Sequence, residues 1–268
     1  MNSQANVKLS VRNIGKHFSL RNGERIQAVT GASFEVFENE FCILLGPSGC
    51  GKSTVLRMIA GLEEPSDGSL RLDNRAIHGP DRERGMVFQS YTSFDWLTVE
   101  QNVEYGMKLN GVPRAERLER ARHFIELVKL GKFRDVYPKQ LSGGMKQRVA
   151  IARTLANQPS LLLMDEPFGA LDAETRWNMQ ELMVSIMEST RTTVVMVTHD
   201  IEEALFLGDR IVFFSSHPGQ VLENSQPDFK QGRRIARKEE IFDLEGYAEA
   251  EQHIMRLMRQ QGTEAALA

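Results

Sequence analysis

The segment GPSGCGKS, at residues 46–53, restricts the possible folds of this chain more than any other feature. It matches the pattern G-x-x-x-x-G-K-[ST], and it stands directly after an apolar run, FCILL, and before a helix-like run, TVLRMIAGL. Glycines in such a loop let successive backbone N–H groups point inward, and the helix that follows adds the positive end of its dipole. The sequence therefore predicts a strand, a phosphate-binding loop and a helix in that order.

Two side chains indicate which phosphates the loop holds. Lys52 can reach the β and γ phosphates of a nucleotide, and the Ser53 hydroxyl can ligate Mg²⁺. The alternative is a chance glycine-rich turn, which the flanking strand and helix make the weaker interpretation. The predicted nucleotide-binding residues of this loop are Gly46, Pro47, Ser48, Gly49, Cys50, Gly51, Lys52, Ser53 and Thr54.

Short apolar runs predict the buried strands of the fold. They cover residues 41–45, 85–88, 161–164, 193–197 and 210–214. A loop or a helical pattern follows each run, which is typical of an α/β domain with a mainly parallel central sheet. The alternation of Val7, Leu9 and Val11, followed by the run at residues 26–36, predicts strands of a smaller antiparallel sheet. Residues 99–156 have helical spacing, and one helix is expected to begin just after Pro113.

Composition removes several classes of function. With 41% hydrophobic and 26% charged residues the chain is expected to be globular, and its net charge of −3 provides no positive field for nucleic acid. Cys42 and Cys50 have neither disulfide nor metal-site spacing. The start, MNSQANVKLS, lacks a signal-peptide pattern, and no apolar run approaches the roughly 20 residues that span a bilayer. We expect no membrane path from this chain alone.

Two adjacent carboxylates end the apolar run LLLMDEP, at residues 161–167. Neighbours on a strand point to opposite sides, so Asp165 and Glu166 are expected to have different roles. Asp165 is the candidate Mg²⁺ ligand opposite Ser53, acting either directly or through another ligand of the ion, and Glu166 is the candidate base that orients the attacking water. Taken alone, such a pair more often caps a helix, and the phosphate loop upstream is what favours the catalytic interpretation.

Further motifs give a resemblance to a known family. The segment LSGGMKQRVAIARTLANQPSLLLMDEPFGALD, residues 141–172, resembles the signature and Walker B region of ABC ATPases. Gln89 matches the Q-loop glutamine of that family, Asp172 its D-loop, His199 its switch histidine and Phe18 its adenine-stacking aromatic residue. The resemblance covers roughly residues 7–221. It implies a P-loop NTPase core of the RecA-like α/β class, with a small antiparallel β subdomain and a helical insertion.

The resemblance also implies a head-to-tail dimer, either of identical chains or with a closely related ABC ATPase, which shares two ATP molecules. Ser142, Gly143 and Gly144 precede a helical pattern that starts near Met145, so they are expected to form a second anion-binding helix N-terminus. The resemblance implies that this site contacts the γ-phosphate held by the partner subunit's Lys52. Asp172 would lie at the same shared site. Taken alone, Ser142 would be interpreted as a helix N-cap.

The resemblance implies the remaining roles. These are catalytic roles for Glu166, His199 and Gln89, and Mg²⁺ contacts for Ser53, Gln89 and Asp165. The simpler alternatives are a polar residue at a strand end for Gln89, a capping role for His199 and core packing for Phe18.

The stretches SYTSFDWLTVEQNV and FFSSHPGQV resemble importers of nitrate, sulfonate, taurine, bicarbonate and similar small anions, although Asp95 stands where that subfamily usually has proline. The implied partners are integral membrane permease subunits and, indirectly, a solute-binding protein. The implied location is the cytoplasmic face of the inner membrane. Phe94 and Trp96 are candidate anchors for the permease, or alternatively cover the core of their own subdomain. An exporter or lipid-extraction ATPase is the alternative function.

The predicted domains are a nucleotide-binding domain at residues 1–235, with its helical subdomain at about 97–156, and a helical tail at 236–268. A helix is expected over residues 247–260. The basic cluster of this region either lies near anionic lipid or forms a solvated face neutralised by Glu239 and Glu240. Its members are Lys230, Arg233, Arg234, Arg237 and Lys238.

Overall fold

A computed structural model of the chain describes residues 6–19, 23–90 and 92–267, with side chains up to residue 262. Residues 1–5 of the N-terminal segment, on which the signal-peptide expectation partly rests, lie outside this description. The described residues form two compact units, one from Met1–Asp81 and Thr192–Ala268 and the other from Arg82–Arg191.

Strands and helices alternate over most of the chain. The strands are β1 (Val7–Ser19), β2 (Arg25–Phe37), β3 (Phe41–Leu45), β4 (Asp67–Leu72), β5 (Arg75–Ala76), β6 (Arg84–Val87), β7 (Leu161–Asp165), β8 (Thr193–Thr198), β9 (Arg210–Phe214) and β10 (Val221–Ser225). The α-helices are α1 (Lys52–Ala60), α2 (Val99–Leu109), α3 (Arg114–Leu127), α4 (Gly143–Leu155), α5 (Ala173–Thr190), α6 (Ile201–Leu207) and α7 (Tyr247–Leu267).

The first unit contains the predicted antiparallel sheet, with strand order β2-β1-β4-β5. Leu9 lies opposite Val36 and Val11 opposite Phe34, and all of these side chains are buried. The period-two alternation at the start of the chain is therefore confirmed as a strand with one face in a core. Strands β4 and β5 were not predicted, because their residues are mostly polar and exposed.

A second, mainly parallel sheet segment of this unit contains β10, β9, β3 and β8 as neighbours in that order. Strand β3 pairs in parallel with both β8 and β9, and all residues of β3 and β8 are buried. Parallel strands covered on both faces have continuous apolar runs rather than alternation, which is why the sequence located β3, β8 and β9 well. Strand β10 pairs antiparallel with β9 and was not predicted.

The second unit pairs β6 in parallel with β7 and contains the predicted helical insertion. Helix α2 begins with a capping box between Thr98 and Gln101. Helix α3 begins at the residue after Pro113, as predicted, and buries Ala121, Phe124 and Ile125. Helix α2 packs against α3 and α4.

The basic cluster at residues 230–238 is not the solvated face that its neighbouring charges predicted. Lys230 and Lys238 are buried, and Arg234 pairs with Asp209 at 2.6 Å. The expectation of a solvated face is wrong for these residues, because carbonyl groups and carboxylates of the first unit satisfy them. Arg233 and Arg237 are exposed. Among the described residues, no helix combines the length and the apolar character needed to cross a membrane.

Candidate functional site

The loop between β3 and α1 has room only for glycine at two of its positions. A Cβ atom on Gly46 would lie 2.7 Å from the carbonyl oxygen of Phe214. Gly51 has a φ of 95°, and a Cβ there would lie 2.6 Å from the carbonyl oxygen of Ala28. Side chains rarely tolerate such a φ or such close backbone contact. The loop therefore needs glycine at these positions, in agreement with the predicted phosphate cradle.

Lys52 is fixed at the start of α1. Its side chain is only 4% exposed, and its ammonium donates hydrogen bonds of 2.7 Å to the carbonyl oxygens of Gly46 and Pro47. Gly51, the N-cap of α1, has no side chain that could cap the first turn. The backbone N–H groups of that turn and the ammonium thus lie together, and this is the arrangement that binds phosphate.

A distant segment supports the back of the loop. Strand β9 is followed by a turn in which a Cβ on Gly219 would lie 2.0 Å from the carbonyl oxygen of Cys50. Gly219 also donates its N–H to the carbonyl oxygen of Ala28 and accepts from the N–H of Thr30. In the sequence, the HPGQ turn is recognisable only as a subfamily feature. A glycine after a proline was the available signal, but nothing local connects it to the phosphate loop.

Two further predicted residues lie in the first unit. Phe18, near the end of β1, is 38% exposed with the Lys16 ammonium 5.0 Å from its ring centroid, so core packing is wrong for it. His199 is exposed and directly follows the buried strand β8. The side chain that caps α6 belongs to Asp200, which accepts from the N–H of Glu203, so the capping alternative is wrong for His199.

The predicted carboxylate pair ends β7 in the second unit. Asp165 is the last residue of the strand and is 8% exposed. Glu166 lies beyond the strand in the left-handed region, with a φ of 42°. The two side chains therefore have different environments because the backbone turns at Glu166, and not because neighbours alternate along a strand. A non-glycine residue in this region costs on the order of 1 kcal/mol and is common at functional sites. Helix capping is excluded for the pair, since Asp172 caps the next helix.

The predicted signature residues start α4. The helix begins at Gly143, two residues before the expected start near Met145, with Ser142 as its N-cap. The Ser142 hydroxyl accepts a hydrogen bond of 3.3 Å from the N–H of Met145. A Cβ on Gly144 would lie 2.5 Å from the Cγ2 of Thr175, so α5 approaches closely there. Ser142 caps the helix, and the exposed hydroxyl lies at the helix N-terminus where anions bind.

The remaining predicted residues of the second unit are exposed. Gln89 lies two residues beyond β6. Asp172 accepts a hydrogen bond of 2.9 Å from the N–H of Thr175, and this bond lowers the pKa of its carboxyl group. The D-loop carboxylate is therefore an anion that also stabilises the start of α5.

Sequence reasoning missed the residue that shapes the aromatic loop at 94–98. Asn102 is fully buried, and its side-chain oxygen accepts from the N–H of Phe94 at 2.8 Å. Its Nδ2 contacts the carbonyl oxygens of Phe94, Leu97 and Thr98 at 2.9–3.0 Å. An asparagine on the apolar face of α2 was the only sequence signal for this role.

Phe94 and Trp96 have different environments, so neither earlier interpretation fits both. Phe94 packs 4.7 Å from the ring of Tyr105 and 5.1 Å from the guanidinium of Arg153, which also donates to both oxygens of Thr92. Burial lowers the pKa of Arg153. Trp96, in contrast, is 73% exposed. A groove of about 460 Å³ lies beside this loop and includes Tyr105, Leu109 and Arg153 in its lining.

Comparison with known proteins assigns the family. The model described as "ABC transporter" matches residues 29–169. The chain belongs to the ABC transporter ATPases. Its fold is that of a P-loop NTPase with a parallel α/β core, and the resemblance of residues 141–172 is thereby confirmed at the level of the family.

Named relatives match most of the chain. It is 45% identical over 215 residues to the nitrate import ATP-binding protein NrtD of Synechocystis, covering 80% of each chain. It is 39% identical over 250 residues to the taurine import ATP-binding protein TauB of Ruegeria pomeroyi, covering 93% of each. Among solved structures, the dimeric ATP-binding cassette MJ0796 with ADP and phosphate superposes with a TM-score of 0.70 and 35% identity, covering 81% of this chain and 98% of that chain.

Proposed function

We propose that this ABC ATPase couples ATP hydrolysis to the import of a small anion through a separate membrane permease. The observation that carries the proposal is the phosphate loop, where the buried Lys52 ammonium is held at the carbonyl oxygens of Gly46 and Pro47, beside the N-terminus of α1. This arrangement suits the β and γ phosphates of a nucleotide. The names of the relatives supply the transport function.

We propose that the nucleotide is bound with Mg²⁺. Mg²⁺ prefers oxygen ligands and is usually held by one or two carboxylates together with substrate phosphates. Ser53, Asp165 and Gln89 offer a hydroxyl, a carboxylate and an amide oxygen of this kind. Bound Mg²⁺ would neutralise charge that develops on the phosphate oxygens. Phe18 would stack on the adenine, since its ring is exposed and already contacts a cation.

The hydrolysis step is assigned to three residues. Glu166 would accept a proton from the attacking water, and its backbone turn sets its carboxylate apart from that of Asp165. His199 would contact the γ-phosphate from the end of β8, and Gln89 would orient the water. In each case the residue is exposed or half-buried at the end of a strand, where ligands of parallel α/β proteins usually bind.

A matched pair of substitutions tests these roles. Glu166→Gln is expected to bind ATP as the parent does but to lower kcat by roughly 100-fold or more, because an amide cannot accept the proton. Lys52→Ala is expected to lower nucleotide affinity itself. Glu188→Gln, at an exposed position of α5, is the control and should retain the parental rate. Parental hydrolysis by Glu166→Gln would show that another residue serves as the base.

The second part of the proposal is a shared site in a dimer. Ser142 and Gly143 present a hydroxyl and N–H groups at the start of α4, and we propose that they contact ATP held by the partner subunit. Mixing Ser142→Arg subunits with Lys52→Ala subunits tests this directly. Each variant alone should be inactive, whereas a mixed dimer has one site in which Lys52 of one subunit faces the unchanged Ser142 of the other, so the mixture should recover part of the parental rate. No recovery in the mixture would contradict the shared site.

The third part concerns the permease. The side chain of Leu109, which is 71% exposed, lines the groove together with Phe94 and Arg153. The exposed ring of Trp96 lies 5.3 Å from the ring of Phe94. An amphipathic helix that inserts apolar anchors fits such a groove. We propose that a cytoplasmic helix of the permease binds there, which would place the chain at the cytoplasmic face of the membrane as a peripheral subunit.

The solute is proposed to be nitrate, sulfonate, taurine, bicarbonate or a similar small anion, delivered by a solute-binding protein. An exporter or lipid-extraction ATPase is the second candidate, and it would use the same nucleotide residues. Reconstituting the chain with its permease in vesicles separates them. An importer should hydrolyse ATP several-fold faster when the loaded solute-binding protein is added on the outside, whereas an exporter should not respond. The assignment of residues 1–235 as the nucleotide-binding domain and 236–268 as a tail stays a prediction.

A further inference from the structure

The position of His199 depends on helix α6. The histidine is separated from the helix only by Asp200, which is the N-cap residue. The N–H of Asp200 donates to the Thr198 hydroxyl at 3.1 Å, and its carboxylate accepts from the N–H of Glu203 at 3.0 Å. The end of β8, the peptide at His199 and the first turn of α6 are thus one continuous hydrogen-bonded segment. Whatever holds α6 therefore limits where His199 can lie.

The segment after β10, residues 226–262, binds the first turn of this helix; it is called the tail below and begins earlier than the tail predicted at 236–268. The Lys238 ammonium lies 3.2 Å from the carboxylate of Glu202, and the Lys238 side chain is 6% exposed. The tail residue Tyr247 is buried nearby: burial, and then the negative charges of Glu251, Glu202 and Asp200, raise its pKa. An ion pair with one buried partner holds its geometry better than an exposed pair, because the buried side chain has few alternative rotamers.

The tail also binds the last turn of α6. Lys230 is 3% exposed, and its ammonium donates hydrogen bonds of 2.7 Å to the carbonyl oxygens of Phe206 and Gly208. Carbonyl groups at the C-terminus of a helix lack partners within the helix, and a cation there is favourable. The two lysines therefore hold α6 at both of its ends.

A third contact connects the tail to the strand that leads into the phosphate loop. Arg234 donates to the Asp209 carboxylate at 2.6 Å, and the same oxygen accepts from the N–H of Phe41 at 2.8 Å. Phe41 begins the fully buried strand β3. The tail is thus fixed to the strand before the phosphate loop and to the helix after His199.

We propose that this tail is a brace for the switch histidine, in which Lys238 and Lys230 are positioning residues that act on hydrolysis through α6. The proposal rests on the role proposed above for His199. Lys238 is the better residue to test, since its partner Glu202 is half exposed and can be changed separately.

The test measures kcat for ATP hydrolysis and, separately, the affinity for ATP with Mg²⁺. Lys238→Gln is expected to lower kcat by roughly tenfold while the nucleotide dissociation constant changes less than about twofold, because small displacements of a catalytic group affect the transition state more than the bound ground state. Lys238→Arg should restore most of the rate. Arg233→Gln removes the same charge from an exposed position of the tail and should behave as the parent.

A second variant and a double variant complete the test. Glu202→Gln breaks the same ion pair from its exposed side and should reproduce the loss of kcat if Lys238→Gln does not fold. In a His199→Ala background, Lys238→Gln should cause little further loss of the residual rate. The brace is refuted if Lys238→Gln and Glu202→Gln both keep the parental kcat while His199→Ala is slow, or if their losses add fully to that of His199→Ala. A parental rate for His199→Ala would refute instead the role proposed for the histidine, and the brace with it.

Discussion

Replacing Asn102 with alanine tests whether one buried amide maintains the shape of the aromatic loop. The side chain has one acceptor contact, from the N–H of Phe94, and donor contacts to three carbonyl oxygens of the loop. Because an amide has only two N–H donors, we count at most three full hydrogen bonds. At about 1 kcal/mol net for each bond, the substitution should lower the free energy of unfolding by roughly 3 kcal/mol.

Urea unfolding of parent and variant measures this loss. Asn110→Ala is the matched control, since Asn110 is exposed and its hydrogen bond to Asn157 is long at 3.4 Å; its effect should stay within about 0.5 kcal/mol. Tryptophan fluorescence reports on the loop itself. In a Trp177→Phe background, iodide quenching of Trp96 should change with Asn102→Ala, because the loop loses its fixed shape. A stability change below about 0.5 kcal/mol with unchanged quenching would refute the assignment.

The other predictions concern single groups. Gly51→Ala should reduce ATP affinity and stability by at least about 1 kcal/mol, because of its φ of 95° and its contact with Ala28; calorimetry with ATP and Mg²⁺ measures the first, and unchanged affinity would contradict it. Trp96→Ala should weaken binding to permease vesicles by about tenfold, measured by co-sedimentation, and equal binding would count against the groove. Burial lowers the pKa of Lys230 to about 7 from its usual 10.5. Between these pH values the unfolded chain therefore binds more protons than the folded chain does. Stability from this group therefore rises with pH in that window, by up to about 1.4 kcal/mol per pH unit, and Lys230→Met should remove the rise in urea unfolding at pH 7 and pH 9.

Much of the fold was predictable because its signals are local. The buried parallel strands β3, β8 and β9 have continuous apolar runs, and the phosphate loop needs glycine where the backbone turns and approaches its neighbours. Strands β4 and β10 were missed because they are short and their residues are mostly polar and partly exposed, so that neither periodicity nor apolar content stands out. The predicted start of α4 was two residues too late, because glycine has a low helix propensity and Gly143 therefore does not extend the helical pattern in the sequence.

The parts of the site that were missed depend on contacts between distant segments. Gly219 lies against Cys50, and Lys230 binds the carbonyl oxygens of Phe206 and Gly208, yet no motif connects these positions. The basic cluster was judged from neighbouring charges in the sequence, Glu239 and Glu240. Its actual partners, such as Asp209, are far away in the chain. Local charge balance therefore says little about which cations a fold buries.

The dense backing of the phosphate loop has a consequence for protein engineering. Phe214, Ala28 and Gly219 touch its rear from three separate segments, so the curvature of the loop is imposed by the surrounding domain. A synthetic peptide with the sequence GPSGCGKS would sample many conformers in water and should not retain a nucleotide. Grafting the motif onto a foreign scaffold would fail for the same reason, unless the recipient supplied equivalent walls.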